Sequence, residues 1–292
     1  MKAMIFGAGY SGKAIARVLA ARGAEVCGTT RTFEKSAGVA AAGARPMIFD
    51  GTALSEKVIE ELAGVTHLVQ SIAPGKDGDP LLRLLSDHFT DRMPSLRWIC
   101  YLSTVGVYGD HGGAWVDEDT PCRPVSDRSV ERVDAENAWA DLAAKSGLPL
   151  AVVRLSGIYG PGRNGLINIS NGTARRLVKK DQVFNRIRVE DIGSATAFLA
   201  DRVQGGIFNV TDDEPAPPQD VVTEAARLMG VEPPPEQPFE TAELSPMARS
   251  FYGENKRVSN ARIKGLGFNF QYPDYRVSLA QLLESGTWNI PA

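Results

Sequence analysis

The chain has 292 residues, 43% hydrophobic and 23% charged, with a net charge of −3. That profile fits a globular protein of one large domain, or a core domain with a smaller lobe, and offers no global basic field to nucleic acid. Three cysteines without CxxC spacing and three scattered histidines give no metal-ligand pattern.

No apolar run approaches the roughly 18 residues that span a bilayer. The first strand begins at Met1, which leaves no room for a leader ahead of it. These features predict a cytoplasmic protein with no membrane partner and reduced thiols, Cys27 and Cys100 being buried in strands.

Strand-like and helix-like segments alternate. "KAMIFGA" reads as the first strand, "GKAIARVLAARG" as a helix and "AEVCGTT" as the second strand. "ARPMIFD", "THLVQSIA", "RWICYLS" and "LAVVRLS" continue the strands, with helices at "LSEKVIEELAG", "DPLLRLLSDHF" and about 128–145 between them. The alternation predicts an α/β fold, a doubly wound parallel sheet covered on both faces. Beyond Ser156 the pattern loosens into "GIYGPGRNG", a basic stretch "TARRLVKK" that reads as a charged surface helix, a strand running into a helix at "RIRVEDIGSATAFLADR", and a strand at "GIFNVTDDE". Proline opens the helix "QDVVTEAARLMG", and "EPPPEQP" reads as an extended link. A short helix, a turn and a final helix complete the chain. The division expected is a dinucleotide-binding domain at 1–156 plus about 182–210, and a smaller substrate lobe at about 157–181 and 211–292.

Gly7, Gly9 and Gly12 form GxGxxG between a strand and a helix, the context of a dinucleotide loop in a Rossmann fold. The first glycine permits the turn, the second lets backbone approach a pyrophosphate and the third packs helix on strand. Tyr10 and Ser11 lie inside this loop, where helix amides face the phosphates. The second strand ends at Thr30 with Arg31 following, where NAD sites place an acid. An arginine there suits a 2′-phosphate, so the cofactor reading favours NADP over NAD; an exposed loop charge is the plain alternative. Asp50 is a candidate for the adenine amino group, or the N-cap of the next helix.

At this point the chain resembles the extended short-chain dehydrogenase/reductase superfamily, the nucleotide-sugar epimerases and dehydratases, over nearly its whole length. The resemblance rests on the Gly loop, "SIAPG", "LSTVGVYGD", "RLSGIYGPG", "RIRVEDIG", "GIFNVTDDE" and the late "LGF". It implies that Ser71, Ile72 and Ala73 flank the cofactor ribose and pyrophosphate, and that Ser156, Gly157 and Ile158 touch the nicotinamide end. It makes Thr104 the hydroxyl that meets a substrate, unless it only caps its strand.

The family's proton donor is the Tyr of a YxxxK pair, eight residues before a helical Glu. Glu136 fills the Glu position, which sets Arg128 at the Tyr and Arg132 at the Lys. The chain therefore resembles the atypical branch of the superfamily, and is read as lacking YxxxK. A guanidinium does not release its proton in proteins. Arg128 can still bind an oxyanion, and Arg132 can hold the nicotinamide ribose. Tyr108 and Tyr159, at strand carboxyl ends, are substitute acids or loop packing; His111 reads as exposed. Arg163 and Arg188 border family motifs and point to a small anionic substrate alongside Tyr159, Thr104 and Arg128. Two readings follow. One is an NADP-dependent oxidoreductase, epimerase or dehydratase with a modified site. The other is a non-catalytic NADP-binding redox sensor. The resemblance also implies a homodimer through the helices near 80–92 and 128–145.

Overall fold

Short buried strands rich in Val, Ile and Leu need cover on both faces, and helices between them supply it. The computed structural model describes residues 1–85, 88–245 and 249–290. Its strands are β1 (Lys2–Phe6), β2 (Glu25–Thr30), β3 (Arg45–Ile48), β4 (His67–Gln70), β5 (Trp98–Thr104), β6 (Trp115–Val116), β7 (Leu150–Leu155), β8 (Gly157–Tyr159), β9 (Arg176–Val178), β10 (Arg186–Arg188), β11 (Gly206–Val210), β12 (Glu236–Pro238) and β13 (Arg257–Val258). The helices are α1 (Tyr10–Ala21), α2 (Ser36–Ala40), α3 (Glu56–Leu62), α4 (Pro80–Leu85), α5 (Phe89–Arg92), α6 (Asp127–Ser146), α7 (Gly165–Ser170), α8 (Val189–Asp201), α9 (Pro218–Leu228), α10 (Ala261–Gly265) and α11 (Tyr275–Glu284). None of the described helices is long and apolar enough to cross a membrane.

The main sheet has the order β3-β2-β1-β4-β5-β7-β11, and the pairings from β3 through β7 are all parallel. The order reverses between β1 and β4, the switch point at which doubly wound sheets open a crevice. Gly7 follows β1 and Ser71 follows β4, so the sequence motifs stand at that point. On one face, Met4, Phe6, Leu68, Ile99 and Tyr101 pack under α3, α4 and α6, with Trp139 stacked on Tyr101 at 6.3 Å. On the other face, α1 and α8 meet backbone to backbone: a side chain at Gly193 would stand 2.7 Å from the Ala14 carbonyl oxygen. The Rossmann α/β fold read from the sequence is the fold observed.

The described residues form two compact units. The first comprises Met1–Val107, Pro124–Leu155 and Ile192–Phe208; the second comprises Tyr108–Arg123, Ser156–Asp191 and Asn209–Ala292. The second is built on three two-stranded sheets, β8/β10, β9/β12 and β6/β13, and on a core of Leu166, Ala225, Tyr275, Leu279 and Leu282.

Three local expectations change. "TARRLVKK" is not a helix: Arg176–Val178 is strand β9, paired with β12 at the end of the proline-rich stretch. Three of its four cations are bonded within the second unit. Arg175 donates to the Glu243 carbonyl, Arg176 to the Pro234 carbonyl and the Glu236 carboxylate, and Lys179 to the Tyr252 carbonyl. "DPLLRLLSDHF" divides into α4 and α5, with Ser86 and Asp87 outside the described residues. Asp50 does not cap α3, because Ser55 accepts the Val58 amide there.

Candidate cofactor and ligand sites

Strand β1 delivers the chain to Gly7, whose φ of +86° is a conformation that favours glycine. The Gly7 amide donates to Thr29 Oγ1 at 2.9 Å and the Ala8 amide to the Thr29 carbonyl at 2.8 Å, which pins the loop to β2. A side chain at Gly7 would meet Ile72 at 2.9 Å, and one at Gly12 would strike the Gly7 carbonyl oxygen at 2.5 Å. One at Gly9 would meet nothing within 4 Å. Gly9 is the N-cap of α1; no side chain caps the helix and no acid lies in its first turn. The positive end of the helix thus opens on free space beside a residue without a side chain. A pyrophosphate fits that cradle, with Tyr10, Ser11 and Gly12 supplying the first-turn amides.

At the end of β2, Thr29 is occupied by the loop and Thr30 is buried, while Arg31 is exposed. Phe33, two residues on, is 81% exposed. Sequence reasoning passed over it, although an exposed aromatic beside an arginine is a stacking surface for a base. Asp50 is exposed and folds onto its own turn, its Oδ1 accepting from Thr52 Oγ1 at 2.7 Å and from the Thr52 amide at 2.9 Å. Those bonds, the hydroxyl first, hold its carboxyl below the usual range. The Ser71 amide donates to the Phe6 carbonyl, Ile72 packs on Gly7, and Ala73 is exposed.

Strand β5 ends at Thr104, whose Oγ1 accepts the Gly106 amide at 3.1 Å. This leaves its hydroxyl proton for another acceptor. A side chain at Gly106 would lie 2.9 Å from Ser129 Oγ, so the start of α6 sits tight against this turn. Ser126 caps α6 by accepting the Ser129 amide. Arg128, the second residue of the helix, is exposed and has no hydrogen bond or ion pair among the described residues. Arg132 turns inward instead and donates to the Leu102 carbonyl at 2.6 Å and to the Tyr101 hydroxyl at 3.4 Å. Burial pushes the Tyr101 hydroxyl up to about 12 against the pull of Arg132. Glu136 meets Arg154 of β7 in a buried fork, at 2.7 and 3.2 Å.

Other predicted residues lie in the second unit. Tyr108 ends a 3-10 turn and is fully buried, its hydroxyl donating to Asn209 Oδ1 at 2.8 Å. His111 is half-buried, not exposed, with Nε2 3.1 Å from the Tyr108 carbonyl oxygen. Arg188 is 1% exposed and spent on the protein: it binds both oxygens of Glu190, Ser278 and Gln281, and lies 4.1 Å over the Tyr272 ring. It has little left to offer a substrate. Arg163 is exposed in the Gly160–Arg163 turn. Gly157 and Ile158 lie on β8 with Tyr159, and the Ser156 and Tyr159 hydroxyls are buried without a hydrogen-bond partner.

The chain does hold one Tyr-x-x-x-Lys spacing, Tyr252 to Lys256, contrary to the expectation that it has none. The pair is not on a helix. Tyr252 ends up in a 3-10 turn, Glu254 is extended, and the two side chains do not share a helical face. Tyr252 packs between Phe184 and Phe239, and Lys256 Nζ binds the Gly109 carbonyl and the Glu254 carboxylate.

Comparison with known proteins gives a consistent picture. The family described as NAD dependent epimerase/dehydratase matches residues 3–211. Protein YeeZ of Escherichia coli K12 is 28% identical over 94% of this chain and 97% of its own. A solved structure described as a functionally unknown conserved protein from Silicibacter pomeroyi is 46% identical, covers 98% of this chain and 99% of its own, and superposes with a TM-score of 0.88. The dTDP-glucose 4,6-dehydratase of Bacillus anthracis, solved in complex with NAD, is 17% identical over 99% of this chain and 96% of its own, with a TM-score of 0.77. At that identity the likeness is one of fold.

Proposed function

Because the chain belongs to the NAD dependent epimerase/dehydratase family, we propose that it binds a nicotinamide dinucleotide on Gly7–Gly12, takes NADP in preference to NAD, and acts as an oxidoreductase or epimerase on a small anionic substrate. The observation that carries the cofactor reading is the uncapped start of α1 at Gly9, where open space meets the helix dipole. Arg31, exposed at the end of β2, is the group for a 2′-phosphate, and Phe33 offers its ring to the adenine. A bound nicotinamide supplies hydride exchange. The chain's own part is different from the usual one: the Thr104 hydroxyl orients a substrate oxygen, and Arg128 stabilises charge on it without passing a proton. Solvent serves as the proton source.

One observation favours a second reading, a non-catalytic NADP sensor: Arg132 holds the Leu102 carbonyl rather than standing open to a ribose. Melting temperature with NADP, NAD or neither decides the cofactor. NADP raises it more than NAD does, and Arg31→Ala erases that preference while keeping the NAD shift. Charge-assisted hydrogen bonds of this kind are worth about 1.5–3 kcal/mol, roughly 10- to 100-fold in affinity. Equal shifts with both cofactors would remove the NADP reading. Oxidation of NADPH over a panel of sugar nucleotides and carbonyl acids then separates enzyme from sensor.

A further inference from the structure

Loop 71–78 leaves β4 at Gln70 and returns to the fold at Asp79, and one buried contact closes it. Gln70 is fully buried and Asp79 is 3% exposed. The Gln70 Nε2 amide donates to both carboxyl oxygens of Asp79 at 2.8 Å. Its Oε1 faces the other way and accepts the Ile72 amide at 3.4 Å. Asp79 also opens α4: Oδ1 accepts the Leu81 amide at 2.8 Å and the Leu82 amide at 3.1 Å. Oδ2 takes no part in that cap. It accepts from Gln70, and from the Trp139 indole of α6 at 3.2 Å.

A serine or threonine caps a helix with one oxygen and no charge. A buried carboxylate costs more, and no cation stands within ion-pair distance of Asp79 among the described residues. What the carboxylate adds is its second oxygen, an acceptor shared by a loop and a helix. A carboxylate only accepts, so it fixes which end of the Gln70 amide faces it. The amide oxygen is left to hold the Ile72 backbone. Ile72 in turn walls the glycine loop: a side chain at Gly7 would stand 2.9 Å from Ile72 Cγ1 and 3.1 Å from its nitrogen. On the other side, Trp139 stacks on Tyr101, whose hydroxyl takes the Arg132 guanidinium at 3.4 Å.

We propose that Asp79 is a positioning residue for the dinucleotide: through Gln70 it holds the Ile72 backbone against the Gly7 turn, and through Trp139 it ties that wall to α6. This role rests on the reading that Gly7–Gly12 binds NADP, so its test takes the free chain as well as the loaded one. Asp79→Asn keeps the cap, because Asn serves an N-cap as well as Asp does, but turns a donor toward Gln70 and Trp139. Gln70 then presents its oxygen to the new amide and releases Ile72. Hydrogen exchange of the free chain at the Ile72 amide rises about 5-fold or more, while the Val58 amide, capped by Ser55, is unchanged. The NADP dissociation constant, from calorimetry, rises about 5- to 10-fold, the worth of one hydrogen bond. Adding Gln70→Glu gives an acceptor to both the new amide and the Ile72 amide, and brings NADP affinity back to within about 2-fold of the wild type. Unchanged exchange at Ile72, equal NADP affinity in wild type and Asp79→Asn, or a loss that Gln70→Glu does not recover overturns the positioning role alone. A wild type that binds no dinucleotide overturns the cofactor reading and this role with it. Melting without NADP checks the fold of each variant. If Asp79→Asn unfolds, Gln70→Met decides: it removes the amide, keeps the Asp79 bonds to Leu81, Leu82 and Trp139, and undiminished NADP affinity in it overturns the role.

Discussion

Alanine at Gly9 and alanine at Gly12 separate space kept for a ligand from space used by packing. At Gly9 a new methyl meets nothing within 4 Å, and the residue has an ordinary negative φ of −79°. The fold loses only the N-cap preference of glycine over alanine, below about 1 kcal/mol. At Gly12 the methyl stands 2.5 Å from a carbonyl oxygen, a contact that must open by roughly 0.8 Å to reach an ordinary C···O separation. Such overpacking costs about 1–3 kcal/mol. At about 2 °C per kcal/mol for a chain of this size, Gly12→Ala lowers the melting temperature by about 2–6 °C and Gly9→Ala by less than about 2 °C. The order reverses for the ligand. NADP at 100 times its dissociation constant adds about 2.7 kcal/mol to the wild type, a shift of about 5 °C. The Gly9→Ala methyl occupies the pyrophosphate's place and abolishes that shift, with little loss of intrinsic stability. Differential scanning fluorimetry with and without NADP measures both quantities. A full NADP shift in Gly9→Ala would refute the placement of the pyrophosphate.

Glu136→Gln takes the charged half of the buried fork away from Arg154 and lowers stability by about 3–5 kcal/mol; denaturant melts of the wild type and the variant check this, and a neutral variant sinks it. Asp212 has a raised folded-state value, so its contribution to stability is full below its unfolded value of 3.8 and is lost as pH rises through the folded value. Asp212→Asn therefore gains on the wild type as pH climbs above about 4. A melting-temperature difference that stays flat over that range contradicts the assignment.

The first unit was legible because local pattern and final structure agree there. Its strands are apolar runs, α3 and α6 begin at capping serines, and the glycine loop falls where the sheet order reverses. The second unit was less so, because long-range partners decide its elements. "TARRLVKK" has helical composition, but Arg176–Val178 becomes a strand through pairing with Glu236–Pro238 some 60 residues on. Its place beside a family motif pointed Arg188 at a substrate, yet only the bonds show that guanidinium saturated by Glu190, Ser278 and Gln281. The YxxxK spacing at Tyr252 has the opposite lesson: the letters are present, and the backbone that would align them is not.

The interleaving of the two units governs how the chain can be taken apart. It passes from one unit to the other after Val107, Arg123, Leu155, Asp191 and Phe208. No single cut by a protease, and no simple truncation, releases either unit whole. A ribosome exposes the last piece of the first unit only when residue 208 has emerged, and by then two segments of the second are already waiting for their third. Recombination that swaps one unit for a homologue's must exchange several stretches at once.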